Sequence, residues 1–433
     1  MIICQAICRP VMRDMPSSPA SCSRTSSPCL LPPCGEVTAV ILAAGFSSRM
    51  GSFKPLLPLA GQTALERCVR LFRDAGVDDV RVVIGHRGDA LRPLLHSMDV
   101  RVIENEHPER GMFSSVRCAL RDILSQPRQG AASTNSRGCL LLPVDIATVR
   151  PQSVAHVLDS LRPEGKSVVL PSYMGKTGHP AFLATTTFED ILAWDGENGL
   201  RGWMERRFPN GPTTVAVTDA GILMDMDSPD DAAGMAQRLD RTLDLSIPDA
   251  EECLALHQLY DPDPHRHRLH SHCLATARAA LRLGAAMTQA GHRLSLPLLA
   301  SAVLLHDVAK GAPKHPQSGA AFLCRQGFPD LADMVASHHS PHIPDGHEID
   351  EAALLQLADL LVLEDQVVGL KERFSSTAQR HGDNARTLIT IREKFGLARL
   401  LCRRVEELAG ESPEVTVRNP VPKEEELLRG FRV

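Results

Sequence analysis

Between Val37 and Asp227 short apolar runs alternate with amphipathic stretches, and after Leu245 the short runs stop. VTAVILAA (37–44), VRVVIG (80–85), VRVIEN (100–105) and CLLLPV (139–144) read as strands. So do SVVLPS (167–172), AFLA (181–184), TTVAV (213–217) and GILMDMD (221–227). Helical spacing fills 64–75, 87–97, 113–124 and 229–240, and QPRQGAASTNSRG (126–138) reads as a surface loop. Apolar strands alternating with amphipathic helices predict an α/β, Rossmann-like domain with a mostly parallel sheet covered on both faces. Its chemistry belongs at the carboxyl ends of the strands. From about 249 to 411 the period is helical and rich in Ala and Leu, which predicts a separate all-α domain.

The expected boundaries are 36–242 for the first domain and 250–410 for the second, with Pro248 the one breaker in the connector. Residues 1–35 are rich in Ser, Pro and Cys without an apolar period, and read as a disordered tail. Residues 411–433, charged and interrupted by proline, read as a flexible C-terminus.

Composition narrows this picture. The chain has 433 residues, 43% hydrophobic and 23% charged, enough apolar mass for two cores. Its formal charge of −5 excludes an overall basic nucleic-acid binder. No run of 18 apolar residues exists, and Gln5, Arg9, Pro10 and Arg13 interrupt any leader-like segment, so neither a membrane span nor a secretory signal is expected. The twelve cysteines form no CxxC pair and read as reduced cytoplasmic thiols. Twelve of the eighteen histidines fall between His257 and His347, a clustering that asks for a chemical reason.

The first chemical signal is AVILAAGFSSRMGSFKPLLPLAG (39–61). A buried strand ends in Ala43-Ala44-Gly45, small residues that let backbone amides approach a ligand. Arg49 and Lys54 follow on the same loop, two cations suited to a triphosphate, although no GK[ST] closes it as in a Walker A loop. LAAGFSSRMGSFKPLL resembles the signature of molybdenum cofactor cytidylyltransferases, within the wider MobA-like nucleotidyltransferases. NEHPERGMFSSVRCAL (105–120), TGHPAFL (177–183) and GILMDMDSPDD (221–231) resemble further segments of that family in the same order.

The resemblance, over about 37–240, implies a Mg²⁺-dependent nucleotidyltransferase. Ala43, Ala44, Gly45, Arg49, Lys54 and Ser115 would bind nucleotide, with Arg49, Lys54 and Asp145 catalytic. Asp145 would hold the metal together with Asp227 or, as second choice, Asp225. Where that family has D-x-P, this chain has Asp145-Ile146-Ala147. Ala44, where guanylyl enzymes carry glycine, favours CTP over GTP.

The second signal lies in the helical half. LLHDVAKG (304–311) offers His306 and Asp307 to one metal, and His272 opens a helical run with Thr276, Ala277, Ala280 and Leu283 on one face. His315, the pair His338-His339 and Asp359 follow. Imidazole and carboxylate without thiolate suit Mn, Fe, Ni, Co or Mg better than a closed zinc site. Residues 265–370 resemble the HD superfamily of metal-dependent phosphohydrolases, whose H…HD…D pattern falls on His272, His306, Asp307 and Asp359. The resemblance implies one metal on those four residues and a second on His315 and His338. Lys310, three residues after Asp307, is suited to neutralise a phosphate, and His265, His267 and His270, without the helix that follows His272, read as surface residues.

Three readings stand at this point. One is a bifunctional cytoplasmic enzyme using CTP and molybdenum cofactor, with molybdoenzyme maturation proteins as further partners, an HD hydrolase and no nucleic-acid or membrane partner. Another is transfer to a sugar or polyol phosphate. The third makes the HD part a nucleotide or metal sensor.

Overall fold

The strand β1 (Val37–Ala43) is buried along its whole length. Val37, Ala39, Ile41 and Ala43 pack into one core and Val40 and Leu42 into a second, as period-2 alternation requires of a strand covered on both faces. The computed structural model describes residues 37–47, 50–125, 137–161, 165–340, 343–344, 348–380 and 385–431. The expected tail, Arg49 and nearly all of the polar loop after Ser125 lie outside the described residues.

Parallel to β1 run β2 (Val80–Ile84) on one side and, on the other, a later strand, while β2 pairs in parallel with β3 (Arg101–Glu104). The later strand is β4 (Gly138–Pro143). Then come β5 (Val168–Tyr173), β6 (Ala181–Ala184) and β7 (Thr213–Ala216), giving the order β7-β5-β6-β4-β1-β2-β3. Only β6 among these seven runs against its neighbours, and the two-residue strand Lys176–Thr177 adds to β5. The register pairs Leu42 with Pro143 and Ala43 with Ile84, so β1, β2 and β4 end at one edge of the sheet.

Helices α1 (Ala64–Asp74), α2 (Met112–Ser125) and α4 (Pro229–Arg241) follow the expected spacing, the stretch 87–97 is a 3-10 turn and a short helix Arg92–Ser97, and α3 (Pro151–Ser160) was not expected. Thr63 and Glu66 form a capping box on α1, and Ser228 and Asp231 form one on α4. The segments α1, α3 and α4 cover the first face, while α2 covers the second with Val116, Ala119, Leu120 and Ile123. GILMDMD is not a strand: Ala220–Leu223 is a 3-10 turn followed by irregular chain. Ile222 and Met226 are buried in the first core and Leu223 and Met224 pack against it, and the apolar run alone does not distinguish that from a ladder.

The second half is helical: α5 (Ala250–Tyr260), α6 (His267–Gln289), α7 (Leu296–Leu305), α8 (His315–Arg325), α9 (Pro329–Ser337) and α10 (Glu351–Leu360) surround one core. Helices Leu370–Arg380 and Ala385–Ala409 complete it. Every residue of α7 from Leu299 to Leu305 is buried, so α7 is the central helix. His272 lies inside α6, which begins at His267, rather than opening the helix. A two-residue hairpin, Val362–Leu363 with Gln366–Val367, interrupts the helices where no strand was expected, because pairs this short leave no periodic trace.

The connector turns on Leu243, Asp244 and Leu245, all in the left-handed region (φ 47°, 54° and 69°), rather than on Pro248 alone. Arg67 and Arg70 both hold Asp244. The C-terminal stretch is docked instead of flexible across its described residues. Pro413–Thr416 and Pro422–Leu427 are helical, Val417, Leu428 and Phe431 enter the core, and Arg282 grips Glu424 at 2.8 and 2.9 Å. No described helix is long and apolar enough to cross a membrane.

Candidate functional site

At the shared edge of β1, β2 and β4 a cavity of about 240 Å³ is bounded by Ala43, Ala44, Gly45, Lys54, Ser115 and Asp145, among others. Among the described residues nothing fills the space that a Cβ at Gly45 would take, and Gly45 lines the cavity. The Ala44 methyl packs close to Gly85, where an added Cβ would lie 2.9 Å from it, so the chain just after β1 and just after β2 comes close together. The start of α2 borders the cavity through Met112 and Ser115, with the amide end of the helix, favourable to anions, turned this way.

Asp145 follows β4 by one turn, and Met226 donates its amide to the Asp145 carbonyl at 3.1 Å. That bond brings the next residue, Asp227, beside Asp145. Lys54 Nζ then bridges the two carboxylates, 2.9 Å from Asp145 Oδ2 and 2.7 Å from Asp227 Oδ1. Burial pulls the Lys54 ammonium down, but the carboxylates of Asp227 and Asp145 outweigh it and hold Lys54 above its usual range. Ser228, not Asp227, caps α4, which leaves the Asp227 carboxylate facing Lys54. Asp225, two residues earlier, instead lines a neighbouring cavity of about 930 Å³ that meets the first at Leu42, Met112 and Pro143.

The cationic Lys54 between two carboxylates marks a place where positive charge is required, and a divalent ion fits that donor set. Sequence reasoning missed two neighbours. Asn105 is buried and donates to Ser114 Oγ at 2.7 Å and Ser115 Oγ at 2.9 Å, so it orients Ser115. Phe46, exposed on the loop, lies 4.7 Å from the His86 ring. Asn105 opens the segment NEHPERG and could have been singled out by its polarity at a strand end; Phe46 carried no such signal.

In the helical half six expected side chains converge. His272 comes from α6, His306 and Asp307 from the end of α7, His315 from the start of α8, His338 from the end of α9 and Asp359 from α10. His306 and His338 lie within 2.7 and 2.6 Å, through Nδ1, of the carbonyls of Val303 and Val335. His272 Nδ1 lies 2.7 Å from the Glu364 carbonyl, which the small hairpin presents. A carbonyl only accepts, so each Nδ1 carries the proton and each Nε2 is turned inward.

Inward, His272 Nε2 is 3.2 Å from Asp359 Oδ1, and His306 Nε2 is 3.6 Å from both Asp307 Oδ2 and Asp359 Oδ1. On the other oxygen, His315 Nε2 is 3.1 Å and His338 Nε2 3.8 Å from Asp307 Oδ1. Asp307 thus divides the cluster into two groups that could each hold an ion, one with His272 and His306, the other with His315, His338 and His339. His339 was named in the sequence as half of a doublet and not carried forward as a ligand. His265 and His267 are exposed as expected, but His270 is half-buried, its ring 5.0 Å from that of His257.

Burial alone would push the carboxyls of Asp307 and Asp359 up. His306, with His315 and Lys310 at Asp307 and with His272 at Asp359, holds both below their usual range. Burial likewise lowers His306, but the Asp307 carboxylate raises it well above its usual range. Burial pushes His338 down to about 3. Among the described residues His306 Nε2, Asp307 Oδ1, His315 Nε2 and His338 Nε2 are buried without a hydrogen-bond partner. Buried polar atoms are rarely left so, and divalent cations between them fit.

Residues 39–211 match the family described as MobA-like NTP transferase domain, and residues 269–363 match the HD domain. The chain is 24% identical over 196 residues to the molybdenum cofactor cytidylyltransferase of Escherichia coli (strain K12), covering 45% of this chain and 93% of that one. A stretch of 91 residues is 43% identical to the bifunctional IPC transferase and DIPP synthase of Rubrobacter xylanophilus, covering 20% of this chain and 21% of that one. The crystal structure of Rv0371c from Mycobacterium tuberculosis H37Rv is similar with a TM-score of 0.39 at 25% identity, covering 47% of this chain and 98% of that one.

Proposed function

We propose that this chain, which carries a MobA-like NTP transferase domain followed by an HD domain, transfers CMP from CTP to molybdenum cofactor and separately hydrolyses a phosphoester. The observation that carries the first part is the meeting of Asp145 and Asp227 on Lys54 beside a cavity rimmed by Gly45 and the start of α2. Mg²⁺ held by Asp145 and Asp227 would neutralise charge on the triphosphate. Lys54 is placed to turn from the carboxylates to phosphate oxygens, and Arg49 would add a second cation. Ala44 lines the cavity at the position where guanylyl enzymes of the resembling family carry glycine, which favours CTP.

The acceptor would occupy the cavity of about 930 Å³, lined by Phe113, Leu170, Met204, Phe208, Ile222 and Leu223. Its size and apolar lining favour a bulky ring system over a small polyol phosphate. The 43% identical stretch shared with the IPC transferase keeps a small phosphorylated acceptor as the second reading. Pyrophosphate release from CTP with molybdenum cofactor, compared with sugar and polyol phosphates, decides between them. Faster release with a polyol phosphate would replace the first reading by the second.

For the HD half, His272, His306, Asp307 and Asp359 would hold one divalent ion and His315, His338 and His339 a second, with Asp307 shared. The ions would supply charge neutralisation at a phosphate and a lowered water pKa. Lys310, 2.5 Å from Asp307 Oδ2 and half-exposed, can swing toward a phosphate. A sensor role would be indicated if the metal-loaded full chain binds nucleotide yet cleaves none of a broad phosphoester panel.

A further inference from the structure

The two halves are joined through a buried ion cluster whose centre is Glu252 of α5, a residue of the helical half with no exposed surface. Glu252 Oε2 accepts from Arg150 NH2 at 2.6 Å, and Glu252 Oε1 accepts from Arg238 NH2 at 2.9 Å and from the Ala220 amide at 3.2 Å. Arg238 NH2 also donates to Asp219 Oδ1 at 2.8 Å, and Asp219 Oδ2 accepts the Arg150 amide at 2.7 Å. Arg150, Arg238 and Asp219 are each almost wholly buried.

The bonded positions have a pattern. Arg150 closes the segment 145–150 that Asp145 opens, and Asp219-Ala220 opens the segment 219–227 that Asp227 closes. Both segments that carry the carboxylates of the first site are therefore tied at their far ends to one carboxylate from the other half. Within the second segment Ile222 accepts the His179 amide at 3.0 Å, and Met226 donates to Asp145 at 3.1 Å, so the segment is held along its length.

We propose that Glu252 is a positioning residue of the transferase site: supplied by the helical half, it sets the separation of Asp145 and Asp227 and so the affinity of the first site for its divalent ion. This rests on the reading of Asp145 and Asp227 as metal ligands. A buried carboxylate shared by two arginines and a backbone amide has one low-energy arrangement, and a change there shifts both segments together. The helical half then belongs to the transferase as built, and is not merely appended to it.

The test uses the full chain carrying Asp307→Ala, which removes the carboxylate shared by both groups of the HD site, and titrates Mn²⁺ by electron paramagnetic resonance. Glu252→Gln keeps the volume but puts an amide against the arginines. Ala220→Pro removes only the amide donor to Glu252, at the first position of a 3-10 turn preceded by an extended Asp219 (φ −102°, ψ 107°), where proline is tolerated. Each should weaken Mn²⁺ binding, Glu252→Gln by about tenfold, as loss of an orienting partner typically does. The turnover number at saturating metal should stay near the parent's, a split that mere destabilisation would not produce. If Glu252→Gln does not fold, Ala220→Pro decides. Unchanged Mn²⁺ affinity in the folded variants, with affinity lost in Asp145→Ala, overturns the proposal alone. Unchanged affinity in Asp145→Ala as well overturns the reading beneath it.

Discussion

At the scale of single residues the first site turns on which acids face Lys54. Asp227 meets Lys54 while Asp225 lines the neighbouring cavity, so the two carboxylates do not share one role. Asp227→Asn should raise the Mg²⁺ concentration for half-maximal pyrophosphate release by at least about tenfold, whereas Asp225→Asn should leave that dependence unchanged and act on acceptor KM. The reverse pattern in a Mg²⁺ titration would exchange the two assignments. The resemblance already put Asp227 ahead of Asp225, and in the structure Ser228 rather than Asp227 caps α4. Asn105 was marked in the sequence only by its polarity at a strand end, and its role lies in contacts to Ser114 and Ser115 across a turn.

His257 gives a test on stability at the same scale. Buried against His270 and Phe431, it donates Nε2–H to the Leu304 carbonyl at 2.9 Å. Burial, with His270 and Arg266 nearby, pushes its imidazole down to about 3 despite that bond. A histidine depressed in the folded chain is protonated first in the unfolded chain, so its contribution is full above its ordinary pKa of about 6.5 and is lost as pH falls toward 3. The urea midpoint of the wild type should fall between pH 6.5 and 4.5, and His257→Gln should show a shallower fall. Equal slopes would remove His257 as the cause.

Among elements, the strongly periodic ones were legible and the short ones were not. Strands buried on both faces and helices with apolar stripes announce themselves through spacing, as β1 and α2 do. The hairpin Val362–Val367 has two residues per strand and no period, yet its turn supplies the carbonyl that orients His272. The stretch after Glu411 looked polar because half of each short helix faces water, while Val417, Leu428 and Phe431 face the core. Arg282 holds that stretch through Glu424 and the Val417 carbonyl. Arg282→Ala should lower unfolding stability by about 2 kcal/mol, the range for hydrogen bonds to a charged partner, seen as a lower denaturant midpoint. An unchanged midpoint would mean that the C-terminal helices are held by apolar contact alone.

For the whole molecule, the two-domain order was readable from the change of period near Leu245, but the junction was not. Glu252 sits in a sequence that reads only as a capping box with Asp249, and its pairing with Arg150 and Arg238 is a tertiary fact. The two chemistries nonetheless draw on separate side chains. Asp307→Ala should abolish metal-dependent phosphoester hydrolysis by the full chain and leave pyrophosphate release largely intact. Loss of both would mean that the HD site controls the transferase. The most direct test of the central claim follows pyrophosphate release by the full chain with Mg²⁺, molybdenum cofactor and CTP, GTP or UTP, the wild type beside Asp145→Ala. Release should be fastest with CTP and should drop on the order of a thousandfold in Asp145→Ala, the several kcal/mol a lost metal ligand represents. Equal turnover of GTP, or undiminished release by Asp145→Ala, would contradict the account.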